Sequence, residues 1–255
     1  MSALGFQGRP LVWIDCEMTG LNPETDRIIE IAVLITNGNL DLVDKAGCQY
    51  VVKTDKHVLD NMGEWCVNQH GKSGLTQEAI DSPHSPVEVA EHVLEYIKRW
   101  VPEPHTALLA GNTVHADAMF LRAKGPDSIG FPKGVWSGII EHLHYRIVDV
   151  STIKELCCSW YPDVAKKYKE QTKKESAHRA LDDIQDSIDG RSDQMTSLGF
   201  SDGPLIRVDL ETTGLDAKTY RILEIAVLIT NGNLDLIDEQ GCHYVVKSGP
   251  EALNE

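Results

Sequence analysis

Residues 195–255 repeat residues 1–61 without a gap: MTSLGF answers MSALGF, ITNGNLDL recurs unchanged, and more than half of the aligned positions are identical. The segment that follows the first copy, residues 62–190, occurs only once. Whatever the opening segment builds together with residues 62–190, its second copy must build alone. The period is too long for a solenoid, and one and a fraction copies is not an array. The expected organisation is a domain over residues 1–190, a linker over 191–204, and a truncated repeat of residues 11–61 over 205–255.

Both copies carry a pair of acids in an apolar setting, WIDCEMTGL at 13–21 and VDLETTGL at 208–215. Strand side chains alternate, so Asp15 and Glu17 share one face, as do Asp209 and Glu211. Neighbouring like charges are costly to bury, and a hard divalent cation with oxygen ligands relieves them. DRIIEIAVLIT reads as a second strand. The turn Asn37-Gly38-Asn39 leads to a third over about 40–53, which gives an antiparallel meander.

The single-copy segment reads differently. Helices are predicted over 57–69 and 86–101, the latter entered at Ser85-Pro86 with Val89, Val93, Leu94, Ile97 and Val101 on one stripe. A strand, TALLAGN, ends at 112, and a helix over 115–124 follows. Glycines and prolines mark a loop over 125–138. A fifth strand is predicted over Tyr145–Val150, with Ser151 capping the helix STIKELCCSWY. The last helix is expected to start near Ser176 and stop at Gly190. Three antiparallel strands followed by strand and helix alternation predict an α/β fold with a mixed sheet, whose functional groups gather at strand ends.

The net charge of −15 argues against a protein that grips long or duplex nucleic acid through many phosphates. It leaves room for short oligonucleotides held through a metal. Six cysteines without a CxxC pair fit a reduced, intracellular compartment, with the cytoplasm expected and the mitochondrion left open. No apolar run reaches the roughly 20 residues of a membrane span.

Four acids and a histidine stand out in order: Asp15 and Glu17, Asp117 in GNTVHAD, then His178 and Asp183 in HRALDD. Any one of these motifs also occurs on a solvated edge. Together with EWCVNQHGKSGL and HLHYRIVDVSTIKELC, they make residues 11 to about 188 resemble the oligoribonucleases, members of the DEDD exonuclease superfamily with a histidine in the third motif. The resemblance implies an RNase H-like fold with a five-stranded mixed sheet, a homodimer, and removal of nucleotides from the 3′ end of very short single-stranded RNA. It places two divalent cations, Mg²⁺ or Mn²⁺, among Asp15, Glu17, Asp117 and Asp183, and makes His178 the general base. It assigns Leu21 to wedging between bases, and Trp65 and His70 to the terminal base or its phosphate. Thr113 and Ser151 fall to the 5′ phosphate, and Tyr145 and Arg146 to the other subunit's site. For Trp65 the alternative is plain core packing. For the whole chain it is a non-catalytic RNA-binding or dimerising relative. A DNA proofreading-type exonuclease would not need the HYR and WCVNQHGKSGL motifs.

Three departures accompany the resemblance. Residues 122–141 are longer than the family's connection and lie near the strand expected at the dimer interface. The helix after Asp183 is expected to be short. The repeat supplies Asp209 and Glu211 without partners for them.

Overall fold

The computed structural model describes residues 9–130, 133–163, 166, 179–194, 205–213, 221–230, 236 and 241–247. Two compact units emerge, Met1–Ile153 with Thr172–Asp193, and Lys154–Gln171 with Gln194–Glu255.

The first unit is built on a five-stranded sheet in the order β3-β2-β1-β4-β5: β1 (Leu11–Met18), β2 (Ile28–Thr36), β3 (Cys48–Val51), β4 (Leu108–Gly111) and β5 (His144–Asp149). The β1/β2 and β2/β3 pairs are antiparallel, while β1/β4 and β4/β5 are parallel, so the expected mixed sheet is borne out. The third strand is far shorter than expected.

Strand β1 splits the core by alternation. Val12, Ile14 and Cys16 face one side with Ile31, Val33 and Ile35 from β2, and helices cover them. These are α4 (Pro86–Trp100), α5 (His115–Arg122) and α6 (Ser137–His142). Helix α4 follows the predicted pattern: Ser85 and Glu88 form a reciprocal capping box, and Val89, Val93 and Ile97 are fully buried. Leu11 and Trp13 face the other side, with Ala32 and Leu34, against Ala180, Ile184 and Ile188 of helix α8 (Ala180–Gln194). Helix α8 carries Gly190 within it rather than ending there. A mid-helix glycine costs only about 1 kcal/mol and does not by itself terminate a helix.

A satellite cluster of Ile29, Leu59, Met62, Leu75 and Ala79 ties α1 (Lys56–Leu59), α2 (Glu64–Ser73) and α3 (Leu75–Asp81) to the sheet. The single predicted helix over 57–69 is thus two, broken at Gly63, which takes the N-cap position of α2. Helix α7 (Val150–Trp160) follows β5 directly. Ser151 sits inside its first turn and not at the cap: Asp149 accepts from the Ser151 amide at 2.9 Å.

Trp13 is fully buried and donates its indole N–H to Thr36 at 3.0 Å. Replacing Thr36 by Val removes that bond at unchanged volume. The melting midpoint should fall by the equivalent of about 1 kcal/mol, read by thermal denaturation.

The second unit contains β6 (Leu205–Thr212), β7 (Ile222–Thr230) and β8 (Cys242–Val245), a three-stranded antiparallel sheet. Its register copies the first unit's, down to the irregularity between Glu211 and Thr212 that matches the one between Glu17 and Met18. Arg207 stands where Trp13 stands in the first copy, and the Thr230 hydroxyl, counterpart of the Thr36 acceptor, is buried without a hydrogen bond. Ile206, Val208 and Leu210 are exposed, whereas Val12, Ile14 and Cys16 are buried.

Candidate active site

Beyond the Trp13/Ala110 pair β1 and β4 no longer share a ladder, so the amide of Cys16 is free to find another acceptor. Gly111 lets the chain leave β4 at this point, since a Cβ there would lie 2.8 Å from the Ile14 carbonyl. The chain then enters α5, whose first turn carries Asp117. Asp117 is 4% exposed and accepts from the Cys16 amide at 2.9 Å. This point between β1 and β4 is where the sheet order reverses, the usual place for a site in an open α/β sheet.

Asp15 and Glu17 stand near the end of β1, opposite Ala32 and Glu30 of β2. Asp183, one turn into α8, completes a triangle with them: one carboxylate oxygen from each of Asp15, Glu17 and Asp183 lies within 4.8 Å of the others. Asp117 stands beside this triangle and is felt through its charge. Loss of solvent, reinforced by Asp117, Asp183 and Glu17, raises Asp15 well above the carboxylate range. Burial first, then Asp183 and Glu30, lifts Glu17 to about 8. Burial lifts Asp117 to about 7 despite the Cys16 hydrogen bond. Oxygen donors gathered at mutual electrostatic cost suit a divalent metal ion, which takes carboxylates and offsets the repulsion.

The remaining candidates fall into three groups. Leu21 is 79% exposed at the tip of the β1–β2 turn. That turn is tied by Asp26, which accepts from the Thr19 hydroxyl and the Asn22 amide at 3.0 Å each. Gly20 is required there, because a Cβ would sit 2.5 Å from the Asp26 carboxylate. Trp65, on α2, is 63% exposed and is not a core residue. His70, one face further along α2, is 1% exposed: Nε2 lies 3.0 Å from the Met18 carbonyl and Nδ1 3.8 Å from Glu17. The ring therefore braces the end of β1.

Thr113 and Ser151 come together on one acceptor that sequence reading passed over. The Asp149 carboxylate accepts from the Thr113 amide at 3.0 Å and from the Ser151 hydroxyl at 2.6 Å, with His115 Nδ1 at 3.4 Å. These bonds hold Asp149 below the usual carboxylate range against the opposing effect of burial. Tyr145 and Arg146 lie on β5, the outer strand, away from the acids. Tyr145 is 71% exposed, stacked on His144 and under the Arg146 guanidinium. His178 lies outside the described residues. Within the 122–141 connection, Asp127 pairs with Arg27 at the end of the β1–β2 turn.

Reading the sequence also missed Glu30 and Arg179. Glu30 is completely buried at the foot of the acidic triangle and accepts from Arg179, Gln49 and the Ala180 amide. Arg179 was visible as the neighbour of His178 in HRALDD. Glu30 gave no signal, being one acid in a strand buried on both faces.

Residues 12–189 match the family of exonucleases named RNase_T. A probable oligoribonuclease of Schizosaccharomyces pombe is 47% identical over 180 residues, 71% of this chain and 65% of that protein. The mitochondrial oligoribonuclease of Homo sapiens is 41% identical over 188 residues, 74% of this chain and 73% of that protein. An oligoribonuclease of Neisseria meningitidis is 41% identical over 179 residues, 70% and 87% of the two chains. Among solved structures, exonuclease I superposes with a TM-score of 0.56 at 14% identity, over 74% of this chain and 41% of that one. The E. coli exonuclease I complex with a dT13 oligonucleotide gives 0.55 at 14%, with the same coverage. At that identity the likeness shows the fold. With the family match running from β1 to α8 and the acidic cluster inside it, this chain belongs to the RNase_T exonuclease family and, within it, to the oligoribonucleases.

Proposed function

We propose that this chain is a 3′-to-5′ exoribonuclease that degrades very short single-stranded RNA to mononucleotides with two divalent cations, Mg²⁺ or Mn²⁺. The observation that carries this reading is the convergence of Asp15, Glu17 and Asp183, from two distant segments, within 4.8 Å of one another, with Asp117 on the neighbouring Cys16 amide. When bound, the cation pair supplies charge to an in-line displacement, stabilising both the attacking and the leaving oxygen. The four carboxylates hold and space the ions. His178 takes the proton from the attacking water, a task suited to a group with an ordinary pKa near 6.5.

Exposed Leu21 separates the last two bases and Trp65 stacks on the terminal one. Thr113 and Ser151, fixed by Asp149, meet the 5′ phosphate and limit the length that fits. An acidic protein can bind such a substrate because an RNA of about two to five nucleotides carries few phosphates. Tyr145 and Arg146, on the exposed outer strand, reach the site of a partner subunit in a homodimer. No helix among the described residues is long and apolar enough to cross a membrane. A cytoplasmic location is proposed, and the mitochondrial names of several relatives make that organelle the alternative.

The direct test incubates the full chain with a 5′-labelled RNA dinucleotide and Mn²⁺, beside an Asp183→Asn chain. Release of mononucleotide by the wild type alone is expected. Equal traces in the two lanes would end the enzyme reading and favour an RNA-binding relative. Trp65→Ala should raise KM for the dinucleotide about tenfold with kcat little changed, since base stacking on an aromatic ring contributes about 1 to 3 kcal/mol. Steady-state kinetics on the dinucleotide reads that split.

A further inference from the structure

The buried carboxylate of Glu30 stands beside the triangle without belonging to it. It pairs across the β1–β2 ladder with Glu17 and is fully buried. Five bonds converge on it: the Arg179 guanidinium through Nη2 at 2.7 Å and through Nε at 3.1 and 3.2 Å, the Gln49 amide at 2.8 Å, and the Ala180 backbone amide at 3.2 Å. Arg179 continues to α3, with Nη2 2.8 Å from Glu78. Its own carbonyl accepts the Asp183 amide at 3.1 Å, so Asp183 is fixed one turn above the residue that Glu30 holds. A planar guanidinium engaging two carboxylates defines direction as well as distance, which a lysine cannot do.

The second copy offers an internal contrast. Glu224 again faces Glu211, and His243 replaces Gln49 as its partner. No counterpart of Arg179 or of helix α8 occurs in the repeated sequence, and among the described residues no metal-competent group forms there. Two acids on a strand are insufficient. The helix that delivers the third must be latched to the same strand pair.

We propose that Arg179 is a positioning residue, and that the Glu30–Arg179–Glu78 bridge sets the first turn of α8 so that Asp183 closes the cation site with Asp15 and Glu17. The bridge also neutralises Glu30, which would otherwise add an uncompensated charge below two acids that already repel. Removing one partner alone would strand a buried charge and confuse folding with function. The informative variant therefore removes both.

This inference rests on the proposed metal-dependent reading, and Mn²⁺ binding separates it from that reading. In the full chain, Glu30→Gln/Arg179→Met is compared with the wild type for Mn²⁺ affinity by titration calorimetry without RNA, for kcat and KM on the dinucleotide, and for circular dichroism. Partners one step behind metal ligands typically change affinity or activity by about 10- to 100-fold. The expected result is a loss of that size in Mn²⁺ affinity and in kcat, with KM for RNA and the folded spectrum unchanged. Arg179→Lys, measured beside it, keeps the charge and loses only the fork; it should lose affinity several-fold. Wild-type Mn²⁺ affinity in both variants overturns the proposal, whatever the activity of the wild type. Wild-type cleavage of the dinucleotide scores the function separately.

Discussion

An Asp15→Asn chain should bind the RNA dinucleotide but turn it over about 1,000-fold more slowly, a loss of about 4 kcal/mol of transition-state stabilisation. Asp15 is the acid whose charge is coupled to all of Asp117, Asp183 and Glu17, so neutralising it weakens every cation position at once. Asparagine keeps the size and one oxygen, and the strand pairing of Asp15 with Ala32 is made by the backbone. Asp117→Asn should give a comparable loss, since its side-chain oxygen can still accept from the Cys16 amide while its charge is gone. The paired control is Asp209→Asn in β6, which should leave turnover at the wild-type rate. Quench-flow or gel assay of mononucleotide release with Mn²⁺ decides all three. Turnover in Asp15→Asn within tenfold of wild type would show that the acidic triangle is not the reactive centre.

In metal-free buffer the chain should be more stable at pH 5.5 than at pH 8.5, and added Mn²⁺ should erase most of the difference. Glu17 is lifted from 4.5 to about 8 and Asp117 from 3.8 to about 7 by burial and neighbouring acids. Between the ordinary and the raised values the folded chain holds protons that the unfolded chain has released. Stability is therefore greatest below about 4.5, falls as pH rises through this window, and reaches its full loss above about 8. For Glu17 alone the penalty is on the order of 4 kcal/mol. A divalent cation removes its cause, because the ionised carboxylates then have a positive partner. Urea denaturation in EDTA at the two pH values, repeated with Mn²⁺, measures both effects. Glu17→Gln should flatten the metal-free profile and so assigns the effect to this acid. A metal-free midpoint that rises from pH 5.5 to 8.5 would contradict the electrostatic picture of the site.

The two copies of the opening segment show how little of an active site a strand pair supplies. Their ladders match residue for residue, and both present two acids on one face. Among the described residues, only the first copy has β4 alongside β1, Asp117 on the Cys16 amide, and α8 packed over Trp13. Arg207 stands exposed where Trp13 is fully buried, and a guanidinium packed under an apolar helix there would need a partner of its own.

Local rules made much of this molecule readable from its residues. Alternation along β1 put Asp15 and Glu17 on one face, the Ser85/Glu88 pattern opened α4, and the order of the motifs identified the family. The first two are patterns over two to four residues, and none of the three needs knowledge of what lies across the fold. The convergence of Asp183 on the β1 acids, the burial of His70 against Met18, and the pairing of Glu30 with Arg179, 149 residues away, were decided by the tertiary structure. Strand β2 is buried along its whole length, so its sequence carries no alternation to say which face Glu30 takes. Only the arrival of α8 over the sheet gives that carboxylate its partner, and with it the geometry of the site.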